Sequence, residues 1–293
     1  MLEKLEKHFI IGVPTFNRSH LIPRIVDSVQ NQGYSNWTIL FVDDHSIDNT
    51  KDVILELSEK ESKIQYLQMS QNSGVNAVRN RIIEYSKSID ISAYLLFVDD
   101  DDYLAQGALA CANQQILLHP EFNWFSLNCH YENGGLISKI THYGVLSYMT
   151  DYMFGKRIRG DLTHILKLGA LNDEKFTSEF RNGEEWYFWT KLSVMHDMYA
   201  VNAPGSIKEY LEGGLTKTGI NRDKAIQVLK FKIDTLEPIV GKKKMAHQYV
   251  SLAKHYLARK DFASAKLALS TVFKASPLYF RQYKHWIRLY RSS

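Results

Sequence analysis

Cysteine is nearly absent from this 293-residue chain, which holds only Cys111 and Cys129. Two thiols without metal-ligand spacing cannot build a disulfide framework, so both are expected as small buried hydrophobes in a reducing compartment. Long apolar runs are missing as well. No stretch approaches the roughly 18 apolar residues of a membrane-spanning helix. The opening MLEKLEKHFIIGVPTF mixes charge with short apolar pieces and lacks the apolar core and cleavage site of a signal peptide. These absences predict a protein that is soluble, or at most attached to a membrane surface.

A single sign of charge is also lacking overall, since the net charge is only +4, but the balance is uneven along the chain. Residues 1–221 hold 20 Lys and Arg against 28 Asp and Glu; residues 222–293 hold 16 against 4. An acidic catalytic-sized region, 1–221, and a basic region, 222–293, are therefore expected to meet different partners.

What is present has two alternating periods. Apolar, β-branched runs occupy 9–16 (FIIGVPTF), 37–42 (WTILFV), 64–69 (IQYLQM) and 93–98 (AYLLFV). Between them, 21–30, 50–61 and 75–88 carry apolar residues at three- and four-residue spacing, as amphipathic helices do. Strand alternating with helix predicts an α/β fold, a mostly parallel sheet covered on both faces. Segments 122–133 and 135–143 read as two more strands, joined as an antiparallel hairpin by Asn133-Gly134-Gly135. Asn182-Gly183-Glu184-Glu185 opens a further helix running to about residue 195. Beyond residue 221 the pattern is wholly helical, over 249–259, 262–274 and 279–290. One tetratricopeptide-like helical hairpin or a plain helical bundle both suit it.

Ligands of open α/β sheets bind beyond the carboxyl ends of the strands. Here those ends are Pro14-Thr15-Phe16-Asn17-Arg18, Asp43-Asp44-His45-Ser46, Asn72-Ser73-Gly74 and Asp99-Asp100-Asp101-Asp102. Polar clusters at four strand ends point to one shared site. Four consecutive aspartates repel one another unless solvent or a cation receives them. Carboxylate oxygens beside a diphosphate suit Mg2+ or Mn2+, which would stabilise charge on a leaving group. An acidic turn is the plainer alternative, with Asp102 suited to cap a helix.

PTFNR, FVDDHSIDNT, NSGVNAVRN, FVDDDDYL and LGALNDEKFTSEFRNGEEWYFWTKL occur in an order and spacing that resembles the family 2 glycosyltransferases, over roughly residues 9–215. The resemblance implies the GT-A fold, a Rossmann-like mixed sheet with helices on both faces. It further implies an inverting transfer of one sugar from a nucleoside diphosphate sugar, with UDP expected. The acceptor would be a glycan or a lipid-linked acceptor in surface polysaccharide synthesis. By matching position, Asp43 would bind the donor's base and Asp44 would support the same turn. Pro14, Thr15, Asn17 and Arg18 would line the nucleotide, and Asn72, Gly74 and Arg79 would shape its pocket. The family's D-x-D falls on Asp99 and Asp101, with Asp101 as the metal ligand and Asp99 near ribose or metal. The four-Asp run, Asp100 included, also admits a shift of one residue. The general base falls on the Glu184-Glu185 pair, at Glu185; the family's usual residue there is aspartate, one methylene shorter.

Further absences refine this. The segment EYLEGGLTKTG, which resembles the family's stretch after the base, holds no histidine. His164 and His196 lie upstream and are not placed in the site. Gln282 to Trp286 is a near miss for the Q-x-x-R-W of processive members, and argues for single additions. No Gly-rich basic loop follows the first strand, as a sugar-phosphate nucleotidyltransferase would have, and the complete acidic set argues against a non-catalytic binder. Trp186 and Trp189 suit either sugar stacking or core packing. At the end of the chain, Arg281, Lys284, Arg288 and Arg291 alternate with Tyr283, Trp286, Ile287 and Tyr290. Such a helix suits an anionic membrane surface, with a solvated face as the plain alternative. No nucleic-acid recognition motif accompanies it. The expected location is cytoplasmic, with the inner face of the cytoplasmic membrane as the candidate surface.

Overall fold

The computed structural model describes residues 6–209 and 221–292. They divide into two compact units, Met1–Glu212 and Gly213–Ser293.

In the first unit strand and helix alternate as the periodicity predicts. Strand β1 (Phe9–Thr15) leads to helix α1 (Ile22–Gln30), β2 (Trp37–Asp43) to α2 (Thr50–Lys60), and β3 (Ile64–Gln68) to α3 (Val75–Ile89). Strand β4 (Tyr94–Phe97) follows, then β5 (Tyr103–Leu104), α4 (Ala108–Leu118) and β6 (Trp124–Tyr131). The remainder comprises β7 (Lys139–Ile140), β8 (Gly144–Leu146), a π-helical turn (Tyr148–Met153), β9 (Ile158–Arg159), β10 (Leu162–Lys167), α5 (Trp186–Met195) and β11 (Met198–Lys208).

The main sheet runs β3-β2-β1-β4-β10-β6-β11-β5, with β8 on the side of β11. Strands β1 to β4 are parallel; β10 is antiparallel to both β4 and β6. The order β2-β1-β4 puts the strand-order switch between β1 and β4, where open α/β sheets bind ligands. Alternate residues of β1 feed opposite faces. Phe9, Ile11 and Val13 join the core under α1 and α4, and Ile10 joins the core under α3 and α5. Gly12 also faces α3, and a Cβ there would lie 2.4 Å from the Ile82 side chain. Glycine thus lets α3 lie close on the sheet and sets its N-terminus at the site.

The expected hairpin at residues 122–143 needs correction. Its turn forms: the Tyr131 N–H donates to the Gly135 carbonyl at 2.8 Å, and His130 bridges Leu136. The return strand follows β6 only at its start, where the Ile137 N–H donates to the Cys129 carbonyl at 3.0 Å, because further back the edges of β6 are taken by β10 and β11. Its one regular stretch, β7, pairs instead with β9 in a separate two-stranded sheet. Helix α4, with β5 and the strands after β7, lay outside the sequence expectation.

The second unit holds α6 (Arg222–Lys244), α7 (Ala246–Ala258), α8 (Phe262–Ala275) and α9 (Tyr283–Ser292). Helix α6 contains Pro238 and is kinked at Gly241, whose φ is +78°. Asp261 caps α8 by accepting from the Ser264 N–H at 3.0 Å. Small residues, Ala253, Ala265 and Ala268, sit in the core and let these helices pack closely. Gln282 is buried and donates to the carbonyls of Ser276 and Pro277, so its near match to a processive motif has a local structural use.

Candidate active site

The loops after β1, β2, β3 and β4 meet at one edge of the sheet and are stitched together by backbone donors. Asn17, at φ +54°, donates its N–H to Ser46 Oγ (2.8 Å) and accepts from the Ile47 N–H (2.9 Å). Arg18 N–H donates to Thr50 Oγ1 at 3.0 Å. Pro14 and Thr15 lie on β1 opposite Val42 and Asp43. Thr15 Oγ1 is buried without a partner among the described residues.

Asp43 is fully buried. One carboxylate oxygen accepts from Ser46 N–H (2.9 Å) and its hydroxyl, and the other accepts from Tyr66 OH (2.8 Å). Its visible task is to order the turn that Ser46 occupies. Asp44 accepts from the N–H groups of Ser73 (2.6 Å) and Gly74 (2.8 Å), tying the β2 loop to the start of α3. Gly74 has φ +90°, and a Cβ there would lie 2.5 Å from the Arg181 carbonyl. Arg181 in turn donates to the carbonyl of Asn72 at 2.8 Å.

Helix α3 then holds the loop that carries the acidic pair. Asn76 Nδ2 donates to the carbonyls of Phe180 (2.7 Å) and Gly183 (3.0 Å), and one turn later Asn80 exchanges two bonds with Phe176. Between them on the helix, Arg79 is buried and spans two carboxylates. One guanidinium nitrogen binds Glu185 and the other binds Asp99 at 2.7 Å. Glu185 sits at the N-cap of α5 with its side chain about half exposed. Glu184, at φ +61°, turns away and accepts from the indole N–H of Trp186. Trp186 and Trp189 are both buried, and Trp189 stacks on Trp124, so Trp189 serves the core.

The four aspartates divide by partner. Burial would raise Asp99, but Arg79 and Lys208 outweigh it and hold the carboxyl at about 2. Asp100 accepts from the Phe16 N–H at 3.1 Å with Arg18 3.8 Å away. Burial, helped by Asp101 and Asp99, still pushes it up to about 7. Asp102 is buried against Lys208 and the Glu209 N–H, and α4 begins only at Ala108, so Asp102 caps no helix. Asp101 alone of the four receives no bond from another residue among those described, and burial raises its carboxyl too. Its backbone carbonyl is held by Arg24 at 2.8 Å, and Arg24 also pairs with Glu209. No preformed cluster of three or more His, Cys, Asp or Glu ligands exists among the described residues. The donor set fits a hard cation that draws most of its ligands from phosphate and water, with the Asp101 oxygens as the free protein donors.

Sequence reading missed Arg24, Asn76, Asn80, Arg181 and Lys208. Asn76 and Asn80 carry a signal, an i,i+4 pair on the helix that also bears Arg79. Lys208 carries none, being a single lysine at the end of an apolar run more than a hundred positions from its partners. The EYLEGGLTKTG segment lies, from residue 210 onward, outside the described residues.

Neither His164 nor His196 bonds to a carboxylate among the described residues. The His196 ring lies 3.1 Å from the Ala170 carbonyl. His164 lies on β10 beneath α5, its Nδ1 receiving the Trp124 indole N–H at 3.0 Å. Burial, with the Lys208 ammonium nearby, pushes His164 down to about 3.

Comparison with known proteins gives the family and the fold. Residues 10–165 match the family model described as Glycosyl transferase family 2. The chain is 29% identical over 193 residues to a Campylobacter jejuni GalNAc(5)-diNAcBac-PP-undecaprenol beta-1,3-glucosyltransferase, covering 64% of this chain and 60% of that relative. It is 26% identical to the Escherichia coli UDP-Glc:alpha-D-GlcNAc-diphosphoundecaprenol beta-1,3-glucosyltransferase WfgD, over 78% of this chain and 85% of the relative. Among solved structures, Staphylococcus aureus TarS 1-349 in complex with UDP-GlcNAc superposes with a TM-score of 0.69. The match has 17% identity and covers 97% of this chain and 89% of that one. The fold is therefore GT-A.

Proposed function

Because the chain belongs to glycosyl transferase family 2, we propose that it moves one sugar from a nucleoside diphosphate sugar, with UDP as the nucleotide, to a hydroxyl of a glycan or lipid-linked acceptor in surface polysaccharide synthesis. One observation carries this reading: Arg79 ties Asp99, from the acidic strand end, to Glu185, from the start of α5. A donor's diphosphate and an acceptor's hydroxyl then have adjacent places. UDP is favoured by the donor named for WfgD and by the nucleotide sugar bound to TarS.

In the reaction an acceptor oxygen attacks the anomeric carbon from the face opposite the diphosphate, and the configuration inverts. The O–H proton passes to Glu185, which must approach that hydroxyl to about 2.6–3.2 Å. The bond from the anomeric carbon to the diphosphate breaks, and the nucleoside diphosphate leaves with the electron pair. Arg79 orients Glu185 through a charge-assisted bond. Asn76 and Asn80 fix the loop before it. Asp101 and Asp99 would hold Mn2+ or Mg2+, which when bound neutralises charge on the departing diphosphate. Pro14, Thr15, Asn17, Arg18, Asn72 and Gly74 would surround the nucleotide on the turns ordered by Asp43 and Asp44, with Asp100 beside Arg18.

Residues 1–221 would be the catalytic region and 222–293 the part that meets an anionic membrane surface. No helix among the described residues is long and apolar enough to cross a membrane. On α9, Tyr283 and Ile287 are exposed beside Lys284 and Arg288, while His285 and Leu289 face inward. A cytoplasmic enzyme resting peripherally on the inner face of the cytoplasmic membrane is consistent with that helix and with acceptors carried on polyprenol.

The test is UDP release from a panel of UDP-sugars with Mn2+. Release with one donor should fall about 10²–10⁴-fold in Glu185→Gln, stay within about tenfold of the native rate in Glu184→Gln, and lose its metal response in Asp101→Ala. An unimpaired Glu185→Gln would rule out the base assigned here.

A further inference from the structure

His164 neighbours both elements that carry the carboxylates: strand β4, which leads to Asp99, and helix α5, which begins after Glu185. Strand β10 pairs antiparallel with β4, Ile165 opposite Leu96, which brings His164 alongside Phe97, two residues before Asp99. Above it Trp189, one helical turn after Glu185, covers the imidazole with ring centroids 4.2 Å apart. The ring thus packs against the first turn of α5, on the strand next to β4.

Its hydrogen bonds fix which nitrogen carries the proton. The Trp124 indole N–H reaches Nδ1 at 3.0 Å, and Ser126 Oγ lies 2.8 Å from the same atom. Indole nitrogen only donates, so Nδ1 must accept and the proton of the neutral ring sits on Nε2. The ring stays neutral near pH 7, because burial and Lys208 keep it from protonating. Nε2–H has no partner among the described residues. The side chain is half-buried and not sealed, and Nε2 is not one of the fully enclosed unpaired atoms. A donor of fixed direction on the strand next to β4, packed against the first turn of the helix that follows Glu185, has a use that core packing alone does not require.

We propose that Nε2–H of His164 binds an oxygen of the acceptor sugar and so holds the reacting hydroxyl toward Glu185. The inference rests on the glycosyltransferase reading and adds the acceptor side of the site. Nε2–H can only donate, so the acceptor must present a pyranose oxygen there. An analogue lacking that oxygen leaves the donor unpaired and is rejected.

The test uses the full chain saturated with UDP, titrated with methyl glycosides of glucose, galactose, N-acetylglucosamine and N-acetylgalactosamine and with their monodeoxy forms. Histidine 15N resonances and calorimetry are the readouts. His164 should show the neutral Nε2–H form, and a glycoside should shift that resonance. One monodeoxy form of this glycoside should bind about tenfold more weakly. His164→Phe should weaken glycoside binding by a similar factor, abolish discrimination against that deoxy form and leave UDP affinity unchanged. His164→Gln, which can still accept and donate, should recover part of the loss and guards against a mere packing defect. The proposal is overturned if the proton sits on Nδ1, if no glycoside shifts the resonance, or if the Phe variant keeps the discrimination. If the native chain binds no UDP, the transferase reading itself fails, a result distinct from these.

Discussion

The guanidinium of Arg79 binds the carboxylate of Glu185, a residue 106 positions later in the chain. Its second arm reaches Asp99, so one buried cation sets the spacing of the acidic strand end and the acidic helix start. Substituting Arg79 by Met should lower kcat by about 10²-fold, the cost of an ångström-scale misplacement in an active site. Arg79→Lys should recover little, because a single ammonium cannot span both carboxylates as the planar fork does. Single-turnover rates with saturating donor would check this. A Lys variant with native kcat would show that charge alone suffices.

A second prediction concerns pH. Asp100 titrates near 7 in the folded chain, raised by burial and by Asp101 and Asp99, against about 3.9 unfolded. The folded state therefore holds the proton more tightly. This contribution is fully present below about pH 4 and is lost as pH rises through 7. Asp99 works in the opposite sense: Arg79 and Lys208 hold it at about 2, and its contribution is lost as pH falls from 4 toward 2. Urea unfolding between pH 5 and pH 8 should show a downward slope that Asp100→Asn flattens. Added Mn2+ should flatten it too, because a cation favours the ionised carboxylate. A slope unchanged in Asp100→Asn would count against this assignment.

Asn76 gives a prediction on stability. Its amide donates to three carbonyls of the loop before α5, those of Thr177, Phe180 and Gly183. Asn76→Ala strips buried acceptors of their partner, at roughly 1–3 kcal/mol for a group left unsatisfied. It should also lower kcat by loosening the stretch before Glu185. Thermal melts and UDP release on one preparation would separate the effects. Full activity with a lowered Tm would mean that the loop is held by its other bonds.

The basic helix offers a fourth. Exposed Tyr283 and Ile287 lie among Arg281, Lys284 and Arg288. Replacing Lys284 and Arg288 by Glu should abolish sedimentation with phosphatidylglycerol vesicles while leaving UDP affinity intact. At about 1 kcal/mol per basic residue near an anionic surface, reversing two charges should cost at least tenfold in partitioning. Equal sedimentation of native and variant chains would remove the membrane from the account.

Most of the α/β unit could be read from the chain because its signals are local. A run such as FIIGVPTF alternates faces with period two, and the helix-period segments between strands leave few other folds available. Acidic and polar residues crowd the strand ends, which the rule for open sheets marks as the place of chemistry. Asp43, Asp44 and Asp99 to Asp102 were accordingly singled out without coordinates, and the Glu184-Glu185 pair was singled out by the family resemblance. The hairpin at Asn133 is shorter than expected because a turn signal says nothing about which neighbours already fill a strand's edges.

What tertiary structure alone decided is the pairing of groups distant in sequence. The strand order, with β10 inserted next to β4 and β11 beyond β6, carries Lys208 to Asp102 and His164 to the strand that leads to Asp99. The same packing turns Asp43 inward onto Ser46 and Tyr66, leaves Asp101 without a bond from another described residue, and separates Glu185 on Arg79 from Glu184 on Trp186. Periodicity follows from neighbours three or four positions apart. The direction in which a carboxylate points is set by a cation or an N–H delivered from another strand, and no local pattern encodes that delivery.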